Sequence, residues 1–359
     1  MRKIFFLFLS ISVFACQRND DSDDTNDDTI SDELYFPTTT QWETVSPEAL
    51  NWNTENIADL NAYLEETHTK GFIILQNGKI AFENYFNGAS ASTPVAWNSA
   101  GKTLTSMMVG IAEEQGFLDL QDPATNYLGS GWTSMTAEQE DTIKIKNMLT
   151  MTSGGDYTVE NTSCYDPECL LYLNDPGEAW FYHNAFYTLL QPVLDKAYPE
   201  GWDMAFAERL KNKIGMTGSW VSIGYNNVFF SKTQSMARFG LLVLADGKWN
   251  GETIINNPEY LKNMSQTSQQ LNLSYGYLWW LNGKESYILP GSTQQFSGKL
   301  VPDAPDDMFA ALGKDDKKLY IIPSKNMVIV RLGDKAQDDL LGPSAYDNLL
   351  WQKINAVID

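Results

Sequence analysis

Apolar residues recur at helical spacing between Asn56 and Glu66, where Ile57, Leu60 and Leu64 share one face and polar residues separate them. This predicts an amphipathic helix. The pattern then changes to two apolar runs, Phe72 to Leu75 and Ile80 to Phe86, joined by Gln76-Asn77-Gly78-Lys79. An Asn-Gly pair supplies the positive φ angles of a tight hairpin turn, so two antiparallel strands are expected. Helical spacing returns from Ser99 to Gln115 through Leu104, Met107, Met108 and Ile111, with Gly116 at a helix-stopping position. From about Leu118 to Gln270 the chain reads as helices and long loops, with Ala205 to Ile214 and Ser235 to Asp246 as further helices. Strand signals come back at Gly276 to Leu281, Met308 to Leu312, Lys318 to Ile322 and Met327 to Leu332, and Tyr346 to Val357 closes as a helix. Strands far apart in sequence, with few parallel crossover units, favour an α+β sandwich. Terminal helices would cover one face of an antiparallel sheet, and an inserted, mostly helical region of about residues 100–270 the other.

The N-terminal residues follow a different pattern. Arg2 and Lys3 precede the apolar run Ile4 to Leu9, then Val13, Phe14, Ala15 and Cys16. A basic start and a short apolar stretch describe a signal peptide, expected over residues 1–15. Cys16 directly after Ala15 resembles a bacterial lipobox, which would make Cys16 the lipidated first residue of an exported protein. Ordinary cleavage with a free Cys16 is the alternative. Residues 17 to 34 carry eight acidic side chains and one basic one, so an acidic tether is expected, taken as 16–44, with the folded domain at 45–359. The destination is then the outer membrane, on its periplasmic or cell-surface side.

Composition narrows the function. At 359 residues, with 43% hydrophobic and 13% aromatic content, the chain can bury a large core. A formal charge of -21 with no basic stripe argues against a nucleic-acid partner. An oxidising destination and an even remainder of cysteines favour a disulfide between Cys164 and Cys169, with two buried thiols as the alternative. His68 and His183 are the only histidines, so no four-ligand metal set is expected, and no feature suggests an organic cofactor.

The candidate chemistry sits at Ser99-Ala100-Gly101-Lys102, where a hydroxyl and an amine three residues apart share a face at a helix start. A serine needs a neighbouring base to become a nucleophile, and a lysine can be that base when burial depresses its pKa. The Ser99 N–H at the helix start is a candidate oxyanion donor. A second group, Tyr182-His183-Asn184, follows a Pro176-Gly177 turn: Tyr182 could pass the serine proton onward, and the Asn184 amide could hold Lys102 and bind a substrate carbonyl. A Ser-His-Asp triad is the rival arrangement, and neither His68 nor His183 has a Gly-x-Ser-x-Gly motif to serve.

Four stretches, in order, resemble the serine β-lactamase and penicillin-binding-protein-like hydrolases, in particular the branch of class C β-lactamases, carboxylesterases and 6-aminohexanoate-oligomer hydrolases. They are Ser99-Ala-Gly-Lys102-Thr-Leu-Thr-Ser, Gly116-Phe-Leu-Asp-Leu-Gln-Asp-Pro123, Ile145-Lys-Asn-Met-Leu-Thr-Met-Thr-Ser-Gly154 and Pro176-Gly-Glu-Ala-Trp-Phe-Tyr182-His-Asn184. The resemblance implies a β-lactamase/transpeptidase-like fold over residues 50 to 357 and acyl-enzyme chemistry. In it Ser99 attacks a carbonyl, Lys102 and Tyr182 shuttle protons, Asn184 orients substrate and water deacylates. The third family element, a glycine-rich strand lining the pocket, falls on Gly313-Lys314-Asp315-Asp316-Lys317, where Gly313 fits and the usual further glycine and glutamine are replaced. The second oxyanion N–H is expected at this strand end, near Lys314 or Asp315, and Trp97, Trp180, Trp279 and Trp280 are candidates for an apolar acyl subsite.

The resulting expectation is an esterase or amidase acting on a small ester, a short amide or a D-amino-acid peptide. β-Lactamase or DD-carboxypeptidase activity is a narrower version. From another class, a surface lipoprotein could bind peptides or glycans on the same fold without turnover.

Overall fold

Asn77 and Gly78 take φ values of 49° and 81° and close the hairpin between β1 (Thr69–Gln76) and β2 (Lys79–Tyr85). The computed structural model describes residues 33–338 and 342–359, with residues 32–359 forming one compact unit. After a long excursion the chain returns as β3 (Trp280–Leu281), β4 (Phe309–Gly313), β5 (Lys317–Ile322) and β6 (Met327–Gly333). These six strands form one antiparallel sheet in the order β2-β1-β6-β5-β4-β3. The N-terminal hairpin thus pairs with the last strand, which brings the two ends of the domain together.

Every residue of β5 and β6 is buried, as expected of central strands covered on both faces. On one face lie α1 (Ile57–Glu66) and the C-terminal helix, Ala345–Ile358, where Trp351 meets the Tyr320 ring edge-on at 5.6 Å. On the other lies α2 (Thr233–Leu244), whose Gly240 lets the helix backbone approach Val328 and Leu319. A Cβ at Gly240 would stand 2.5 Å from Val328 Cγ1 and 2.7 Å from Leu319 Cδ1. Lys318 and Tyr320 point to the first face and Leu319 to the second, the period-2 alternation of a strand.

Three sequence expectations need correction. The tether expected over 16–44 does not extend to its far end: Tyr35 N–H donates to the Asn77 carbonyl at 2.9 Å, Trp42 Nε1 to the Gly78 carbonyl at 2.8 Å, and Thr44 bridges Ile80. Leu34, Phe36 and Trp42 carry apolar surface that is buried by lying on the domain. The signal peptide, Cys16 and the acidic residues up to 32 lie outside the described residues. Secondly, the insertion is mostly helical but also holds the strands Ser219–Ile223 and Asn226–Ser231, which make a three-stranded sheet with Val95–Ala96 just before it. Thirdly, the strand expected at Gly276 to Leu281 shrinks to Trp280–Leu281, because Leu278 adopts a left-handed φ of 63°. Cys164 and Cys169 form a disulfide that closes a small loop in the insertion.

Candidate active site

Ser99 does not open an α-helix directly. Asn98–Gly101 form a 3-10 turn, and the α-helix runs from Lys102 to Glu114. The tighter turn eclipses residues i and i+3, and it brings Lys102 Nζ to 3.2 Å from Ser99 Oγ. Trp97 fixes the turn from below: its backbone N–H donates to the Phe229 carbonyl at 2.8 Å and its Nε1 to Ser231 Oγ at 2.7 Å.

Lys102 is almost fully buried, and that desolvation lowers its pKa to about 7. Its ammonium faces the Tyr187 ring at 4.1 Å and the Tyr182 ring at 5.0 Å, and among the described residues it has no ion-pair partner. Tyr182 is buried at the cleft beside Ser99; burial pushes its pKa well above the usual tyrosine value, against a smaller lowering by the Ser99 hydroxyl. The two shifts separate the roles of the pair. Near pH 7 a large fraction of Lys102 is the free amine and Tyr182 remains a neutral phenol, so Lys102 is the group able to take the Ser99 proton. Tyr182 stacks on Trp280 at 5.9 Å, with Tyr275 edge-on and Trp180 tilted against it.

A cleft of about 540 Å³ opens over Ser99, within the size range of small-molecule sites. Tyr182, Asn184, Gly313, Lys314 and Asp315 line it together with Ser99, while Lys102 lies buried behind Ser99 rather than in the cleft wall. Asn184 Oδ1 is buried with no partner among the described residues, leaving an acceptor unfilled in the cleft wall. Of the four tryptophans considered, Trp280 lines the cleft, Trp180 backs Tyr182, and Trp97 and Trp279 belong to the core.

The end of β4 is held against the nucleophile turn. A Cβ on Gly313 would lie 2.3 Å from the Trp97 carbonyl oxygen and 3.0 Å from the Ala100 nitrogen, so only glycine fits. Asn98 Nδ2 reaches across to donate to the Lys314 carbonyl at 2.9 Å. Asp315 and Asp316 then take φ values of 60° and 59°, left-handed positions that glycine would fill without strain. Arg331 compensates from beneath: Nη1 donates to the Asp315 and Asp316 carbonyls at 3.2 and 2.8 Å, and Nε to Thr69 Oγ1 at 3.1 Å. Lys318 Nζ sits 2.6 Å from Asp347 Oδ2 and 3.4 Å from Asp316 Oδ1, while Tyr320 donates to Asp347 Oδ1 at 2.6 Å.

Both histidines stand apart from this chemistry. His183 Nε2 lies 3.3 Å from the Asp156 carbonyl, and burial lowers its pKa to about 4. His68 sits exposed in the turn before β1. Sequence reading missed Asn98, Tyr187, Lys318 and Arg331. Tyr187 had a usable signal, one helical turn and a residue beyond Tyr182; the others had none.

The beta-lactamase family profile matches residues 60–348. An uncharacterized protein of Alkalihalophilus pseudofirmus is 24% identical over 300 residues, covering 72% of this chain and 81% of that protein. A beta-lactamase of Pseudomonas fluorescens is 25% identical over 166 residues, 42% of this chain and 45% of its own length, so that match spans under half of the relative. Among solved structures, a candidate 6-aminohexanoate-dimer hydrolase from Bacillus anthracis superposes with a TM-score of 0.67 at 19% identity, covering 90% of this chain and 87% of that one. The antiparallel sheet between terminal helices and helical insertion is therefore shared with this group. Since the family profile covers most of the folded unit, including the cleft-forming segments from Ser99 to Pro343, the chain belongs to the beta-lactamase family.

Proposed function

We propose that the protein is a serine hydrolase working through an acyl-enzyme, with Ser99 as nucleophile, Lys102 as its base and Tyr182 as the proton relay. The observation that carries this reading is a buried lysine with a pKa of about 7 lying 3.2 Å from a serine hydroxyl at the floor of a cleft. Ser99 Oγ attacks the substrate carbonyl carbon as its proton passes to Lys102 Nζ. Negative charge gathers on the carbonyl oxygen, where the Ser99 N–H and an N–H from the strand end near Lys314 or Asp315 serve as donors. Tyr182 then delivers a proton to the departing oxygen or nitrogen, and a water molecule hydrolyses the Ser99 ester to return the free enzyme.

Substrate class follows from the walls. Trp280, Phe181 and Leu312 offer apolar surface beside the exposed Lys314, which suits the acyl part of a small ester, a short amide or a D-amino-acid peptide. The Bacillus anthracis neighbour, a candidate amide hydrolase by its name, supports the amide arm. The proposal extends to export and lipid attachment at Cys16, which the basic-apolar leader and the Ala15-Cys16 junction support.

The test is intact-mass detection of a covalent adduct after incubation with a fluorophosphonate. A single adduct on the wild-type protein, lost in both Ser99→Ala and Lys102→Ala, is expected. An adduct that persists in Ser99→Ala would overturn the assignment.

A further inference from the structure

The charge on Lys102 poses a problem that the machinery above leaves open. In its resting protonated form, and again after it takes the Ser99 proton, Lys102 is a cation sealed from water. A buried charge ordinarily requires an opposite charge beside it. The groups packed on Lys102 are uncharged: Ser99 on its own turn, Tyr182 from the segment across the cleft, and Tyr187 from the short helix Asn184–Thr188, with the neutral Tyr275 behind Tyr182; Asn184, expected to hold Lys102, makes no bond to it. Burial is what lowers its pKa, and no charged group offsets it.

The Tyr187 ring lies closest to the ammonium among these aromatic faces, 4.1 Å from Nζ to the centroid, against 5.0 Å for Tyr182. A cation over an aromatic face within about 6 Å is attracted by the ring quadrupole, most strongly where water is excluded. The ring is held rather than free. Tyr187 Oη lies 3.5 Å from Thr105 Oγ1, which accepts from Gln191 Nε2 at 3.3 Å, and Gln191 Oε1 accepts from Asn227 Nδ2 at 2.6 Å. Thr105, Tyr187 and Gln191 are all buried, so the chain of bonds fixes the ring plane from its far edge.

We propose that Tyr187 is a positioning residue whose ring face takes the place of a counter-ion, stabilising the ammonium of Lys102 and so setting the pH at which the base becomes free. The inference rests on the reading of Lys102 as base, but its physical content is separable from catalysis. An attraction to the charged form raises a lysine pKa, so removing the ring lowers it. The effect expected of one desolvated ring is about one pH unit.

The experiment compares Tyr187→Leu, which removes the π face and keeps apolar bulk, with Tyr187→Phe, which keeps the face and removes the hydroxyl. The Lys102 Cε resonance is titrated by NMR in protein labelled with lysine carrying carbon-13 at Cε. A Ser99→Ala background is used, and the signal is assigned by its loss in Lys102→Ala. The expected result is a midpoint about one pH unit lower in Tyr187→Leu and unmoved in Tyr187→Phe. In the Ser99-containing proteins, the acidic limb of the labelling rate by fluorophosphonate should move in parallel. A midpoint unchanged in Tyr187→Leu, or displaced equally in both variants, would overturn the inference. Because the titration needs no turnover, a protein that fails to label and yet titrates as expected would refute the hydrolase reading alone. If Tyr187→Leu does not fold, Tyr187→Met carries the same comparison.

Discussion

The contact between Gly313 and the Ser99 turn gives a severe test of the site's architecture. Replacing Gly313 by alanine puts a methyl carbon 2.3 Å from the Trp97 carbonyl oxygen and 3.0 Å from the Ala100 nitrogen, and both are backbone atoms that cannot rotate away. Relief requires β4 and the turn to part by about 1 Å, a separation of the kind that overpacked cores pay with about 1–3 kcal/mol. The functional loss is larger. Oxyanion donors work at about 2.7–3.1 Å, and losing one costs roughly 10²–10³ in kcat. Gly313→Ala should therefore lower kcat/KM on an activated acyl ester by at least about 10²-fold while unfolding only slightly sooner on heating. The matched control is Gly101→Ala, two residues from the nucleophile. Gly101 has φ -64°, and its new Cβ would meet the Trp220 ring at an ordinary 3.5 Å. That change should leave kcat/KM within about twofold and add helix propensity of up to about 1 kcal/mol. Wild-type kcat/KM in Gly313→Ala would refute the argument that this close approach builds the reaction site.

Two further outcomes follow from the buried charges. Lys102, with its pKa lowered to about 7, is competent as a base only when deprotonated, so kcat/KM should climb tenfold per unit below about pH 7 and level off above it. Tyr182, whose pKa is raised, should add no basic limb below about pH 10; a pH–rate profile flat between about pH 5 and 7 would contradict the Lys102 assignment, and a fall in rate below about pH 10 that of Tyr182. Asp347→Asn leaves Lys318 buried without its 2.6 Å partner, and urea unfolding should show a loss of about 3–5 kcal/mol.

Local chemistry decided which parts of the fold could be foreseen. The Asn77-Gly78 turn, the β5–β6 pair and the terminal helices carry their own signals: a dipeptide that tolerates positive φ, unbroken apolar runs and helical spacing. Ser219–Ile223 escaped notice because it is largely exposed, and Asn226–Ser231 because its apolar run is only Val228-Phe229-Phe230, set after Gly224 and two Asn, so no alternation marks an inward face. In the site, the spacing of Ser99 and Lys102 was legible because both sit on one turn. Arg331, Asn98 and Lys318 were not, since their roles arise from strands that meet only in the folded sheet. The aspartates at 315 and 316 read as a departure from a glycine-rich strand. In the fold they hold a left-handed backbone that glycine would adopt without strain, with Arg331 donating to their carbonyls.

The cluster of Lys318, Asp347 and Tyr320 also constrains how descendants of this sequence can differ. Neutralising Asp347 leaves the buried Lys318 with only Asp316 at 3.4 Å, and neutralising Lys318 strands Asp347, so a lineage that drifts one codon at a time meets a fitness cost at either step. Exchange for an apolar set would require several changes to arrive together, after which the core could be as stable as before. The cleft-lining segment around Pro290-Gly291 lies outside this cluster. Diversification of substrate choice is therefore free to proceed there by single steps, while the polar floor beneath β4 and β5 is inherited as a block.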